Sequence, residues 1–260
     1  MSRRLCRGSR ILALLAVLAT APTFQGCFIL DAAVDQAAAE TGNAIAASMT
    51  ASIRGPMLKG YALGLFAAYF WAGGFWLAQQ PYQPGEWTMW QHTVVDGGEN
   101  RAQQPLKVEK AFLHRNADGS EWWRIKAFGE NAEDIIVLEA LFSADHTQIV
   151  RLLARVGQDP VSQVEFAEGE NAIPSPNTMT DEWINSHLAG EVQLATGTLQ
   201  VSARHIRFTS ADGSSEANFY LAPGVPGGLV KYEFTSSDGS RYTVAMIGHG
   251  NGAATELGAY

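Results

Sequence analysis

The sequence is short of cysteine. Among its 260 residues only Cys6 and Cys27 carry a thiol. Oxidising compartments normally exploit cysteine pairs, and thiolate metal sites need clusters of them. Two thiols near one end leave the rest of the chain without a disulfide or a cysteine metal centre. Charge is scarce as well. Asp, Glu, Lys and Arg make up 17% of residues, and 18 Lys+Arg stand against 26 Asp+Glu, a net charge of −8. Nucleic-acid binding needs a basic surplus to neutralise phosphates, so no nucleic-acid partner is expected. Catalytic signatures are missing too. The six histidines (His92, His114, His146, His187, His205 and His249) show no H-x-H, H-x-x-x-H or H-E-x-x-H spacing, so neither a metal nor a cofactor is expected. Gly-x-Ser-x-Gly is absent, which argues against a nucleophile-elbow hydrolase. His249-Gly-Asn-Gly is glycine-rich but has no helix pattern behind it, so it lacks the context of a phosphate loop. The chain reads as a non-enzyme.

What is present begins with an export signal. Arg3, Arg4, Arg7 and Arg10 form a positive n-region, and Ile11–Ala21 is an apolar run of 11 residues. At about 1.5 Å per residue that run spans roughly 16 Å, half of a ~30 Å hydrocarbon core. It reads as a cleavable h-region and not as a stable span. The run leads to Thr23-Phe24-Gln25-Gly26-Cys27. A small residue and then Cys just after an h-region resembles the lipobox of bacterial lipoprotein precursors. In that family the Cys thiol receives diacylglycerol, the chain is cut before the Cys, and the new N-terminus is acylated. Gly26 fits the pattern; Phe24 and Gln25 stand where the family usually has Leu and a small residue. The resemblance implies a signal peptide over 1–26 and a palmitate-type lipid anchor on Cys27. The plainer alternative is an ordinary signal peptide in which Cys27 is incidental, but no A-x-A-like cleavage site sits well here. A twin-arginine signal is a further alternative, against which Cys6 and Arg7 stand where bulky apolar residues are expected. Residue 28 is Phe and not Asp, which by analogy with proteobacterial lipoproteins implies the outer membrane, facing the periplasm. Removing the leader leaves 14 basic and 26 acidic residues, a net charge of −12.

Three zones follow. Residues 27–56 are Ala-rich, with Asp31 placed to start a helix and few large apolar side chains, and read as a helical stalk ended by Gly55-Pro56. Residues 57–80 form the second zone, with Lys59 as the single charge over Met57–Ala78. This stretch is long enough to cross a membrane. Against a span, its cationic flank (Arg54, Lys59) would lie outside, contrary to the positive-inside tendency. Its apolar residues surround the helix, as in a fully buried core helix. Gly60, Gly64, Ala68 and Ala72 recur every four residues, a smooth stripe suited to close backbone approach in a membrane or on a sheet. Core helix and membrane-associated helix both stand at this point.

From 85 to 258 the period becomes that of strands. Three Asp-Gly-Ser tripeptides, at Asp118, Asp212 and Asp238, lie between β-rich runs and predict hairpin turns with positive φ at both central residues. The predicted strands are Glu86–Val95, Pro105–Arg115, Glu121–Phe128, Asp134–Ser143, Gln148–Val156, Val161–Phe166, Glu191–Thr196, Leu199–Ser210, Ser215–Leu221, Gly228–Ser236 and Arg241–Gly248. Leu138–Val156 also admits a helical reading, but its β-branched content favours strand. Trp122 and Trp123 face opposite ways at period two, so at most one of them lines the core. Ala167–Leu188 interrupts the pattern with Pro174, Pro176 and a short helix over Asp181–Leu188, long enough to cap one end of the sheet.

The expected architecture is mainly β: a strongly curved, half-barrel-like antiparallel sheet of about eleven strands with one apolar helix packed on it, preceded by the Ala-rich helix. In layout it resembles the outer-membrane lipoprotein-sorting carriers. Pro223-Gly-Val-Pro-Gly-Gly-Leu-Val-Lys-Tyr-Glu and His249-Gly-Asn-Gly-Ala resemble endings of bacterial lipoproteins, and those imply no activity. Two function classes remain. One is a lipid-anchored binding module holding an acyl chain or a lipidated protein in the curved sheet, with Trp183, Ile184 and Leu188 closing over the cavity. The other is a structural or assembly lipoprotein acting through protein contacts.

Overall fold

The computed structural model describes residues 56–67, 69, 80–95, 106–129, 134–172, 179–210, 212–236 and 239–260. The predicted signal peptide, Cys27, the Ala-rich stalk, Ala68 and Ala72, Pro174 and Pro176 lie outside them. Eleven strands form one antiparallel sheet: β1 (Trp87–Val95), β2 (Leu106–Arg115), β3 (Glu121–Phe128), β4 (Ile136–Phe142), β5 (Ile149–Val156), β6 (Ser162–Gln163), β7 (Leu188–Thr196), β8 (Leu199–Thr209), β9 (Glu216–Leu221), β10 (Leu229–Thr235) and β11 (Arg241–Gly250). The order across the sheet is β6-β5-β4-β3-β2-β1-β11-β10-β9-β8-β7. Two meanders therefore meet at the β1–β11 pair in the middle, and the chain passes from one edge, β6, to the other, β7. The sheet is curved and unclosed. Its curl shows at Gly197, in the β7–β8 turn, which lies on β11: a Cβ there would come within 2.6 Å of the Ile247 carbonyl. Thr196 Oγ1 donates to the Met246 carbonyl at 2.9 Å beside it.

The Asp-Gly-Ser tripeptides at Asp118 and Asp212 do turn the chain, by another geometry than expected, and Asp238 lies outside the described residues. Only the glycine is left-handed, with φ of 85° at Gly119 and 73° at Gly213, and His146 is the one non-glycine residue with positive φ among the described residues. Asn116 N donates to the Ser120 carbonyl and Gly119 N to the Asn116 carbonyl, closing a loop one residue longer than a two-residue turn. The Asp118 carboxylate accepts from Ser120 N and Oγ at 2.9 and 2.6 Å, so the aspartate is held by its side chain and never needs the strained backbone.

Helix α1 (Pro56–Ala67) lies on the inner face of the sheet, with proline in its first turn where a missing N–H costs nothing. Leu58, Tyr61, Ala62, Leu65, Phe66 and the following Tyr69 are buried in the main core. Their spacing of i, i+3, i+4, i+7, i+8, i+11 is one helical stripe. The expectation of a helix buried all round is corrected here. Gly60 and Gly64 are exposed, and a Cβ on either would meet nothing within 4 Å, so this part of the smooth stripe faces away from the sheet. Among the described residues no helix is long and apolar enough to cross a membrane.

The outer face carries a second core. Residues 251–260 cross it, burying Leu257 and Ala259 against Ala111, Leu113, Trp122, Val137 and Leu153. Polar contacts fasten this strap. The fully buried Glu139 carboxylate accepts from Thr255 Oγ1 and Glu256 N, each at 2.6 Å. Glu256 in turn pairs with Arg124 at 3.2 Å, Lys126 at 3.0 Å and Arg155 at 3.3 Å. Trp122 and Trp123 are consequently both buried: Trp123 alone lines the main core, and Trp122 lies in the outer one, which the expectation that at most one lines the core did not include. They do face opposite ways, but the outer face is covered there.

Candidate functional site

The two halves of the inner face are packed differently. On β2–β5 the inward residues Val108, Phe112, Trp123, Ile125, Leu138, Ala140 and Leu152 are all fully buried. On β7–β10 Ala203, Ile206, Ala217, Phe219 and Phe234 are buried as well, but Val192, Leu194, Leu199, Val201, Phe208 and Tyr232 pack on the core yet stay partly exposed. Cross-strand register sets them side by side: Leu194 opposite Val201, Phe208 opposite Ala217, and Phe219 opposite Tyr232. The result is an apolar trough at the β7 end of the inner face.

Helix α2 (Asp181–Ser186) stands at its border. Thr180 caps it, accepting from Trp183 N at 3.2 Å. Arg207 N donates to the His187 carbonyl at 2.9 Å, and Arg204 donates to Asn185 Oδ1 at 2.8 Å, so α2 is tied to β8. Ile184 is buried in the core. Trp183 is half-buried, with its ring 6.4 Å from Phe208, 6.1 Å from Phe219 and stacked on His187 at 4.5 Å. The three residues named from sequence thus part company. Trp183 borders the trough, Ile184 fills the core beneath it, and Leu188 is 46% exposed on the edge strand β7. The helix ends at Ser186, two residues before its expected end, because the backbone from Leu188 onward pairs with β8.

A buried polar chain, unforeseen from sequence, lies between the trough and the half filled by α1. His92 hydrogen-bonds through Nε2 to the Tyr69 hydroxyl, and through Nδ1 to the Tyr242 hydroxyl at 2.6 Å. Tyr242 bonds in turn to Tyr232. Burial pushes the His92 imidazole down to about 3 and holds the phenols of Tyr69, Tyr232 and Tyr242 above their ordinary value. The chain is therefore uncharged at neutral pH. Further along the inner face, Lys110 is fully buried beneath the Tyr69 carbonyl at 3.3 Å, with its ammonium 4.8 Å from the Tyr82 ring centre and 5.1 Å from that of Trp123. Burial lowers it to about 7, and the Glu121 charge opposes that shift. Burial alone would raise the Glu121 carboxyl, but hydrogen bonds from His146, Trp123 and Arg115 outweigh it and hold the group below its usual range. The alternation of β1 and β2 marks His92 and Lys110 as inward-facing; nothing in sequence spacing marks them as special.

An open hollow of about 470 Å³ also lies at the β5–β6 edge, between Gln148–Arg151 and Gln163–Ala172. Its walls mix Arg151, Glu165 and Glu168 with Val150 and Phe166. Among the described residues no three His, Cys, Asp or Glu side chains converge on one point.

No protein-family model and no curated protein matches the chain. Among the solved structures that match the chain are two. One is MucB in complex with the periplasmic part of MucA, at 16% identity and a TM-score of 0.34, over 68% of this chain. The chain spans 54% of the length of that structure. The other is a Bacteroides fragilis protein described as exported, with a YmcC-like fold, at 9% identity and a TM-score of 0.32, over 66% of this chain and 98% of its own.

Proposed function

We propose that the protein is a non-enzymatic, lipid-anchored component of the cell envelope that holds an apolar chain in the trough of β7–β10. The anchor is Cys27, and the location is the outer membrane, facing the periplasm. The ligand is an acyl chain, free or carried by a lipidated protein. One observation supports this reading above the others: a cluster of inward apolar side chains on β7, β8 and β10 (Val192, Leu194, Leu199, Val201, Phe208 and Tyr232) stays partly exposed, although neighbours such as Ile206, Phe219 and Phe234 are buried. Each large side chain left half-covered there forgoes part of the roughly 1.5–3 kcal/mol that full burial provides. An aliphatic guest would recover it. The neutral His92–tyrosine chain at the inner end tolerates such a guest without adding a charge. Phospholipid extraction of the chain purified from its native envelope, followed by mass spectrometry, tests the proposal. Non-covalent acyl lipid near one per chain supports it; a lipid-free chain that also fails to take up an acyl probe opposes it.

The second reading is a structural or assembly lipoprotein. It is favoured by the covering of β2–β5 on both faces, by α1 inside and the 251–260 strap outside. That half is built as a fixed scaffold, and the lipid-free outcome above would select it.

A further inference from the structure

The two edges of the sheet are unlike. β6 is two residues long and begins just after Pro160 and Val161. Beyond it the chain turns back, and Glu170 fixes the turn by accepting from Ala167 N at 2.7 Å and pairing with Lys59 of α1 at 2.5 Å. A short strand, a nearby proline and a tethered loop are devices by which sheets end without recruiting another strand. β7 has none of them. It runs nine residues without proline or lysine, and no described strand lies beyond it. Its inward side chains Val192 and Leu194 hold it in register with β8, and the pairing is regular apart from one irregularity between Leu188 and Gly190.

The surroundings of this edge are acidic. Glu191 is exposed on the strand, and Asp181 and Glu182 are exposed on α2 just before it. Of the basic residues close by, Arg207 pairs with Glu216, and Arg204, opposite Glu191 in register, donates to the neutral Asn185 and offsets one of the three acids, which leaves the edge net acidic. We propose that β7 is a docking edge, on which an extended segment of a partner protein bearing lysine or arginine at alternate positions adds as a further strand. Main-chain hydrogen bonds to the open edge supply the attachment, and the acids select a cationic segment. A second copy of this chain is disfavoured as the occupant. Pairing β7 with itself brings two sets of Asp181, Glu182 and Glu191 to one interface in a chain of net charge −8.

The test uses the full chain in detergent micelles and a synthetic peptide alternating lysine and valine. Two controls are a glutamate–valine peptide and a lysine–valine peptide N-methylated at alternate residues, which keeps the charge and loses the strand-forming edge. Amide exchange across 188–196 and fluorescence anisotropy are the readouts. The lysine–valine peptide should slow exchange on β7 and bind about tenfold or more tighter than its glutamate counterpart at low salt, and Glu191→Lys should narrow or reverse that preference. The N-methylated peptide should not bind. Equal binding of the N-methylated peptide, or protection that avoids β7, overturns the proposal. Protection of β7 that rises with protein concentration in the absence of peptide assigns the edge to a second copy and overturns it as well.

Discussion

Trp122 and Trp123 are neighbours on β3, and both are buried, at 3% and 0% exposure, in two different cores. Trp123 stacks on Phe112 with ring centres 4.6 Å apart, in the layer between sheet and α1. Trp122 lies in the outer layer, beneath Leu257 and Ala259 of the strap. The β2–β5 half is thus three layers thick.

The strap should therefore bear on stability. Leu257→Ala removes a nearly buried side chain and should cost about 2 kcal/mol or more, and removal of 253–260 should cost more, since Trp122 and Glu139 are then uncovered. Chemical denaturation followed by tryptophan fluorescence reads both. A midpoint unchanged on truncation would show that the strap adds nothing to the fold.

Lys110 gives a pH signature. Its folded pKa is lowered to about 7 from 10.5, so between those values the unfolded chain binds a proton that the folded chain does not. Stability should rise with pH across that window, and the penalty is fully present below about 7. Lys110→Met should raise the melting temperature at neutral pH, and the gain should shrink towards pH 10.5. A lower melting temperature at every pH would mean that the contacts with Tyr69, Tyr82 and Trp123 outweigh the burial of the amine.

Trp183 and Ile184 are adjacent but should answer differently. Ile184→Ala empties a core position and should cost about 2–5 kcal/mol. Trp183→Ala should cost less, because the ring is half-buried, and should weaken uptake of an acyl probe. Thermal melts beside probe titrations separate the two. Equal destabilisation with unchanged uptake would make Trp183 ordinary packing.

All eleven strands were legible in the sequence, because period-two alternation and Asp-Gly turns are local signals. Helix α2 was legible too, as a short helix over Asp181–Leu188, although its Thr180 cap was not named. Boundaries slipped where pairing decides them: β6 is shorter than the run Val161–Phe166, and β7 begins at Leu188. What stayed hidden depends on contacts distant in the chain. The β1–β11 pair joins residues some 150 positions apart, as does His92 with Tyr242. The burial of Trp122 depends on a strap that carries no pattern of its own. Trp183 could be named from sequence as a large apolar residue in a polar excursion; Val192, Leu194 and Val201 could not be told from any other half-buried strand.

Cys27 should carry the anchor. Labelled palmitate should enter the wild-type chain and be lost in Cys27→Ser, as read on a gel of envelope fractions. Equal labelling of the two forms would remove the anchor from the proposed function.

The trough itself is tested most directly by titrating the full chain with a naturally fluorescent polyene acyl ester, alongside Val192→Glu, which sets a carboxylate on the trough wall. Saturable uptake by the wild type, quenching tryptophan fluorescence and at least about tenfold weaker in Val192→Glu, is the predicted result, since a charge in an apolar site must be desolvated to admit the chain. Absence of saturable uptake at micromolar concentration, or equal uptake by a folded Val192→Glu variant, would contradict the trough as the binding site.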